Sequence, residues 1–328
     1  MPIEISDRPV VGITIGDAAG IGPEIVLKAL SDESLRDVCR CVIIGDGAHL
    51  YDIANRLDVD IDSSGVEVVD LKNLPAEFPI GSDDAATGKA AAENIEAAVR
   101  LWREKKIDAI CTAPISKKAI ALGGYDFPGH TEFLAKLTET GEFRMSFFAD
   151  KLRVVLLSTH LSLTDAIAFV KEENLVDLIR FSARELGKLL NRNVSIAVAG
   201  LNPHASEGGM FGTEERDEIN PAVEYCREIL GIDVSGPYSP DTIFLRGFRG
   251  EFDGVIALYH DQATIAVKSL SFGSGVNVTL GLPLIRTSVD HGTAYDIAGK
   301  GVADASSMVS AIKLAAELVR EGRKSAEI

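Results

Sequence analysis

Three apolar runs, each leading into a histidine, constrain this chain more than any other feature. Residues 154–157 run into Ser158-Thr159-His160, residues 196–199 into Gly200-Leu201-Asn202-Pro203-His204, and residues 255–258 into Tyr259-His260. Short apolar runs bounded by turn residues read as buried strands. In an open α/β sheet the carboxyl ends of parallel strands gather along one edge, where ligands bind. Three imidazoles delivered there could form a metal site with an open position for substrate. A lone histidine is ordinarily a surface or hydrogen-bonded residue. The same placement three times points to an enzyme rather than a scaffold.

The rest of the chain agrees with an α/β fold. Strand signals fall at residues 10–15, 41–45, 66–71 and 107–112 in the first third. A helix is expected from about 87 to 105, rich in alanine and ending in basic residues that suit its dipole. Runs at 144–148 and 152–158, separated by Ala149-Asp150-Lys151, predict a hairpin. Helices are expected over 174–190 and 306–321, and a further strand over 276–280. Alternation of this kind argues for a mostly parallel sheet wrapped by helices. At 328 residues the chain suits two lobes or one large α/β domain. No internal repeat or linker marks a boundary.

Net charge excludes some partners. With 33 basic and 49 acidic residues the formal charge is −16, a balance that repels duplex nucleic acid. An anionic small substrate therefore needs a dedicated Arg and Lys cluster. No apolar stretch approaches the roughly 20 residues that span a bilayer. The opening residues, Met1-Pro2-Ile3-Glu4-Ile5-Ser6-Asp7-Arg8, have neither the basic region nor the apolar core of a signal peptide, so a cytoplasmic location is expected. Cys39, Cys41, Cys111 and Cys226 form no CxxC pair and read as reduced structural thiols.

Several segments carry two readings each. Gly16-Asp17-Ala18-Ala19-Gly20-Ile21-Gly22-Pro23-Glu24 follows a strand and opens a helix, but lacks the third glycine of a dinucleotide fingerprint. It is either a tight turn that holds a helix start or a direct ligand contact. Asp46 ends a strand at a position that tempts a ribose assignment. In Gly129-His130-Thr131-Glu132, Thr131 could be an N-cap, or the helix start could bind an anion with His130 as an added donor. Lys117 and Lys118 could be solvated charges or phosphate donors. Lys268, Asn277 and Arg286 punctuate apolar sequence, either in structural pairs or in recognition of a carboxylate or phosphate. Asp261 and Asp290 could orient a metal-binding histidine or cap a helix.

Together these segments resemble the 4-hydroxythreonine-4-phosphate dehydrogenase family of pyridoxal phosphate biosynthesis. The resemblance rests on Gly16–Glu24, Pro128-Gly129-His130-Thr131-Glu132, Ser158-Thr159-His160-Leu161, Gly200-Leu201-Asn202-Pro203-His204-Ala205, Pro240-Asp241-Thr242, Tyr259-His260-Asp261-Gln262 and Ile285-Arg286-Thr287-Ser288-Val289-Asp290-His291-Gly292-Thr293. It spans essentially the whole chain, residues 1–328 as one dehydrogenase unit. It implies a two-lobed α/β fold similar to the isocitrate and isopropylmalate dehydrogenases, with the active site in the cleft between lobes and at a homodimer interface. His160, His204 and His260 then match the ligands of a divalent metal (zinc, magnesium or cobalt), the third contributed by the partner subunit. His130, Thr131, Lys268, Asn277 and Arg286 match the substrate contacts, and NAD or NADP is the oxidant.

The same resemblance implies oxidation of the C3 hydroxyl of a four-carbon phosphorylated acid, followed by loss of carbon dioxide. The expected substrate is 4-phosphohydroxy-L-threonine, giving 3-amino-2-oxopropyl phosphate. Two departures point to an alternative. The pyridoxine branch has proline where Ala18 stands, and Gly-Pro-Val-His-Lys where this chain has Ala113-Pro114-Ile115-Ser116-Lys117. The Ala-Pro-Ile-x-Lys form also occurs in relatives that oxidise D-threonate or D-erythronate 4-phosphate to dihydroxyacetone phosphate. A non-catalytic metal- and phosphate-binding regulator is the reading from another class. No general base can be named from the sequence.

Overall fold

A computed structural model describes residues 8–61, 65–271 and 274–324. Its strands are β1 (Val10–Thr14), β2 (Arg40–Gly45), β3 (Glu67–Asp70), β4 (Ala109–Thr112), β5 (Arg144–Ala149), β6 (Leu152–Leu156), β7 (Ile196–Ala199), β8 (Val234–Tyr238), β9 (Gly254–Ala257), β10 (Val276–Leu280) and β11 (Ile285–Ser288). The chain divides into two compact units and crosses between them. The first takes the described residues of Met1–Phe143 with Gly281–Arg320, the second those of Arg144–Leu280 with Glu321–Ile328.

In the first unit the strand order is β3-β2-β1-β4-β11, parallel throughout. Every residue of β4 is buried, as expected of a strand covered on both faces by helices. The helix Ala85–Arg103 starts two residues before the expected 87 because Asp84 caps it, accepting from the amides of Ala86 (2.8 Å) and Thr87 (3.2 Å). Gly88 lets this helix approach the next one. A Cβ there would lie 1.9 Å from the Ala119 carbonyl oxygen. Ile44, Ile95, Ile110, Phe133 and Leu134 lie in the core cluster of this unit.

In the second unit the order is β10-β5-β6-β9-β7-β8. β10, β5 and β6 run antiparallel, and the expected hairpin is present as β5 and β6. From β6 onward the strands are parallel. Phe147, Val154, Leu156, Ile243 and Val255 lie in its core cluster, each worth about 1.5–3 kcal/mol on burial.

Two strands escape the sequence reading. β8 contains Gly236 and Pro237, which depress any strand signal. β11 is Ile-Arg-Thr-Ser, with one apolar residue in four. The strand expected to close on Tyr259-His260 instead stops at Ala257, and His260 opens the helix His260–Ser271. Among the described residues no helix is long and apolar enough to cross a membrane. All four cysteines are free. Burial pushes the Cys111 thiol up to about 12 and Cys226 to about 11, which fits inert structural roles.

Candidate active site

β6, β9 and β7 are neighbours and parallel, so their carboxyl ends share one edge of the second unit. His160 follows β6, His260 follows β9, and His204 follows β7. The common edge expected from the three apolar runs is present. The rings of His160 and His260 lie 6.0 Å apart, centroid to centroid. His260 Nδ1 is 2.8 Å from Asp261 Oδ1, which leaves Nε2 as the ring nitrogen available to a ligand. Asp261 thus holds the His260 ring through this contact.

His204 lies in the turn that follows β7. Its ring lies 6.4 Å from Phe211, and among the described residues of this chain no three His, Cys, Asp or Glu side chains gather into a metal site. Residues His204, Ala205, Ser206 and Glu207 all have positive φ, between 43° and 66°. Left-handed backbone costs roughly 1–2 kcal/mol per non-glycine residue, so the surroundings must hold this turn in place. Glu215 supplies one hold. Its buried carboxylate accepts from the amides of Leu201 (2.8 Å) and Asn202 (2.7 Å) and from Asn202 Nδ2 (2.8 Å). Lys268 is exposed on the helix His260–Ser271, and Asn277 sits in β10 opposite Phe147.

The first unit holds the remaining predicted residues. Arg286, in β11, is 3% exposed, and its Nη2 donates to Thr112 Oγ1 at 2.9 Å. Burial lowers its pKa to about 10, still far above neutrality, so the guanidinium remains a desolvated cation. His130 opens the helix His130–Leu137, and its Nε2 is enclosed without a hydrogen-bond partner. Burial, then the nearby Arg286 charge, hold its pKa well below the usual value, so the ring is neutral near pH 7. Thr131 is buried but is not the N-cap. Gly129 occupies that position with no side-chain cap, so the helix start stays open to an anion.

The opening glycine motif is first of all a tight turn. Gly16 has φ +70°, and a Cβ on it would sit 2.2 Å from the Pro114 carbonyl oxygen. Ala18 and Gly20 also line a cavity with His49, Arg56, Lys300 and Gly301. Asp46 caps the helix Gly47–Leu57 through the His49 amide, a structural role. A network unseen in the sequence joins four distant segments. Tyr295 Oη donates to Asp17 Oδ2 (2.6 Å) and approaches Asp83 Oδ1 (3.2 Å), and Asp83 also binds Ser116 and, at 3.3 Å, Lys118. Lys118 therefore has a structural partner. Ser116 caps the helix Lys117–Leu122 by accepting from Ala119 N (3.2 Å).

Comparison with known proteins decides the family. Residues 37–315 match the family described as pyridoxal phosphate biosynthetic protein PdxA. The chain belongs to this family. It is 47% identical, over 94% of its length and 97% of the relative's, to the D-threonate 4-phosphate dehydrogenase of Cupriavidus necator. It is 45% identical, over 94% of this chain and 95% of the relative, to the 4-hydroxythreonine-4-phosphate dehydrogenase of Desulforapulum autotrophicum. The crystal structure of the 4-hydroxythreonine-4-phosphate dehydrogenase of Klebsiella pneumoniae superposes with a TM-score of 0.87 at 38% identity, covering 95% of this chain and 98% of that one. This PdxA-family chain is accordingly an α/β oxidoreductase of the dehydrogenase type.

Proposed function

We propose that this PdxA-family protein oxidises the C3 hydroxyl of a four-carbon phosphorylated acid with NAD or NADP and then releases carbon dioxide. The observation that carries the reading is the delivery of His160, His204 and His260 to one edge by three adjacent parallel strands. An all-imidazole donor set suits zinc, cobalt or a similar divalent ion. Such a site is completed by a second copy of the chain, which contributes one of the three histidines. Bound there, the cation supplies Lewis-acid polarisation, and a nicotinamide supplies the hydride acceptor.

The chain's own residues bind and orient. Arg286 is a buried fork that suits a carboxylate or phosphate, and neutral His130 offers an enclosed ring nitrogen to a substrate oxygen. Thr131 at the uncapped helix start, with Lys268 and Asn277, completes the proposed substrate contacts. Oxidation at C3 makes a β-keto acid, whose new carbonyl accepts the electron pair left by the departing C1 carboxylate. The cytoplasm is the compartment proposed for this chemistry.

D-threonate 4-phosphate is the substrate favoured, with dihydroxyacetone phosphate as product. Ala18 and Ser116 support it, as does the Cupriavidus relative. This differs from the amino acid expected first. 4-Phosphohydroxy-L-threonine is the second reading, favoured by the family description and the Desulforapulum relative. The two substrates differ at C2, hydroxyl against amino group, and a site that pairs one buried polar group rejects the other strongly. Reduced nicotinamide formation, measured with each phosphate in parallel with divalent metal, is the test. A kcat/KM about 100-fold or more higher for D-threonate 4-phosphate is expected. A higher value for the amino acid would reverse the choice, and no absorbance change with either would favour a non-catalytic regulator.

A further inference from the structure

Gln262 bridges two of the three histidine-bearing loops. Its side chain is buried, and both ends are used within the second unit. Oε1 accepts from the Leu258 amide at 2.7 Å, just after β9 and two residues before His260. Nε2 donates to the Gly200 carbonyl at 2.8 Å, just after β7 and four residues before His204. An amide N–H only donates and a carbonyl only accepts, so these partners fix which end is which. The third strand end is tied to the same point, because Ser158 Oγ donates to the Leu258 carbonyl at 3.0 Å. Ser158 precedes His160 by two residues. Leu258 thus receives one strap from the β6 loop at its carbonyl and one from Gln262 at its amide.

We infer that Gln262 is a positioning residue for the metal-binding histidines, holding the His204-bearing and His260-bearing loops of one chain in place on their common sheet edge through its two-ended amide. The inference rests on the proposed histidine site. It is distinct from a local capping role. Gln262 is the third residue of the helix His260–Ser271, and a side chain there often reaches back to a preceding amide. Glutamate serves such a cap as well as glutamine. Only the strap to Gly200 demands an N–H donor.

The substitution Gln262→Glu separates the two roles. Its carboxylate keeps an acceptor for Leu258 N but sets a second negative oxygen against the Gly200 carbonyl. Cobalt(II) is the probe, titrated into the full-length protein at pH 8 and read by its visible ligand-field absorbance and by calorimetry. Groups that orient ligands from outside the coordination shell typically contribute about 10–100-fold in metal affinity. Gln262→Glu, which keeps the cap to Leu258 but loses the strap to Gly200, is expected to bind cobalt(II) at least about tenfold more weakly than wild type. Gln262→Leu, which loses both ends, should show a deficit at least as large.

Gln262→Glu binding cobalt(II) as tightly as wild type would overturn the inference, because the cap to Leu258 alone would then suffice. Wild-type protein that takes up no cobalt(II) overturns the histidine site itself, and this inference with it. Ser158→Ala, a small change that removes the other strap, keeps the test open if Gln262→Glu does not fold. Its affinity should fall several-fold, and an unchanged affinity would count against the strapped arrangement.

Discussion

Replacing His160, His204 or His260 with Ala abolishes turnover while the fold survives. All three follow strand ends rather than sit in the core, and His160 and His204 are exposed, so each truncation leaves little cavity. Loss of one neutral imidazole removes a quarter or more of a tetrahedral shell, and with it several kcal/mol of charge stabilisation at the reacting oxygen. A loss of about 4 kcal/mol corresponds to roughly a 1,000-fold lower kcat. Metal content of the purified variants should fall in parallel, with melting temperatures of the metal-free proteins close to wild type. Full metal occupancy in all three variants would remove these residues from the site.

Arg286→Lys lowers kcat/KM by about 10–100-fold, because charge is kept but the bidentate fork is lost. The position is also unforgiving. Arg286 is buried in a parallel strand, and its Nη2 is held by Thr112 Oγ1 across the pairing of β11 with β4. A lysine ammonium is a point charge on a flexible stem and cannot meet Thr112 and a substrate oxyanion in one plane. The loss should appear mainly in KM if the contact is made equally in ground and transition states, and in kcat if it tightens during reaction. Unchanged kinetics in Arg286→Lys would place Arg286 in a purely structural role.

The histidine edge was legible from the sequence because its signal is local. Three runs of β-branched and aliphatic residues end abruptly in polar turns, and parallel packing on neighbouring strands follows from the α/β pattern. The hairpin of β5 and β6 was legible for the same reason. Arg286 was singled out, but its strand was not, since β11 has the composition of a loop and shows itself as a strand through its pairing with β4. His260 was placed at a strand end when it is the first residue of a helix. The apolar run continues through Leu258 and Tyr259, and periodicity alone does not show where β9 stops. Thr131 looked like a cap because Thr favours caps, whereas the extended Gly129 takes that place.

The supporting residues were not legible at all. Gln262 acts on Gly200, 62 positions away, and Tyr295 acts on Asp17, 278 positions away. Glu215 clamps Leu201 and Asn202 from a π-helical turn that no periodicity announces. The positive-φ turn at His204 was equally hidden, because its first four residues are not glycines and only Gly208 and Gly209 close the run. Its shape is imposed by the Glu215 clamp and by hydrogen bonds such as Phe211 N to Ser206 O (3.2 Å), not by local preference.

The most direct measurement of the shared metal centre is complementation between two inactive variants. His204→Ala and His260→Ala subunits, differently tagged, are mixed and the heterodimer is purified. If the His204 and His260 of one site come from different chains, each heterodimer contains one site with all three ligands and one site lacking two. The account predicts recovery of about half the wild-type rate, with metal restored to about one ion per dimer. Verified heterodimers that remain inactive and bind no metal would contradict it, and would require all three histidines to act within a single chain.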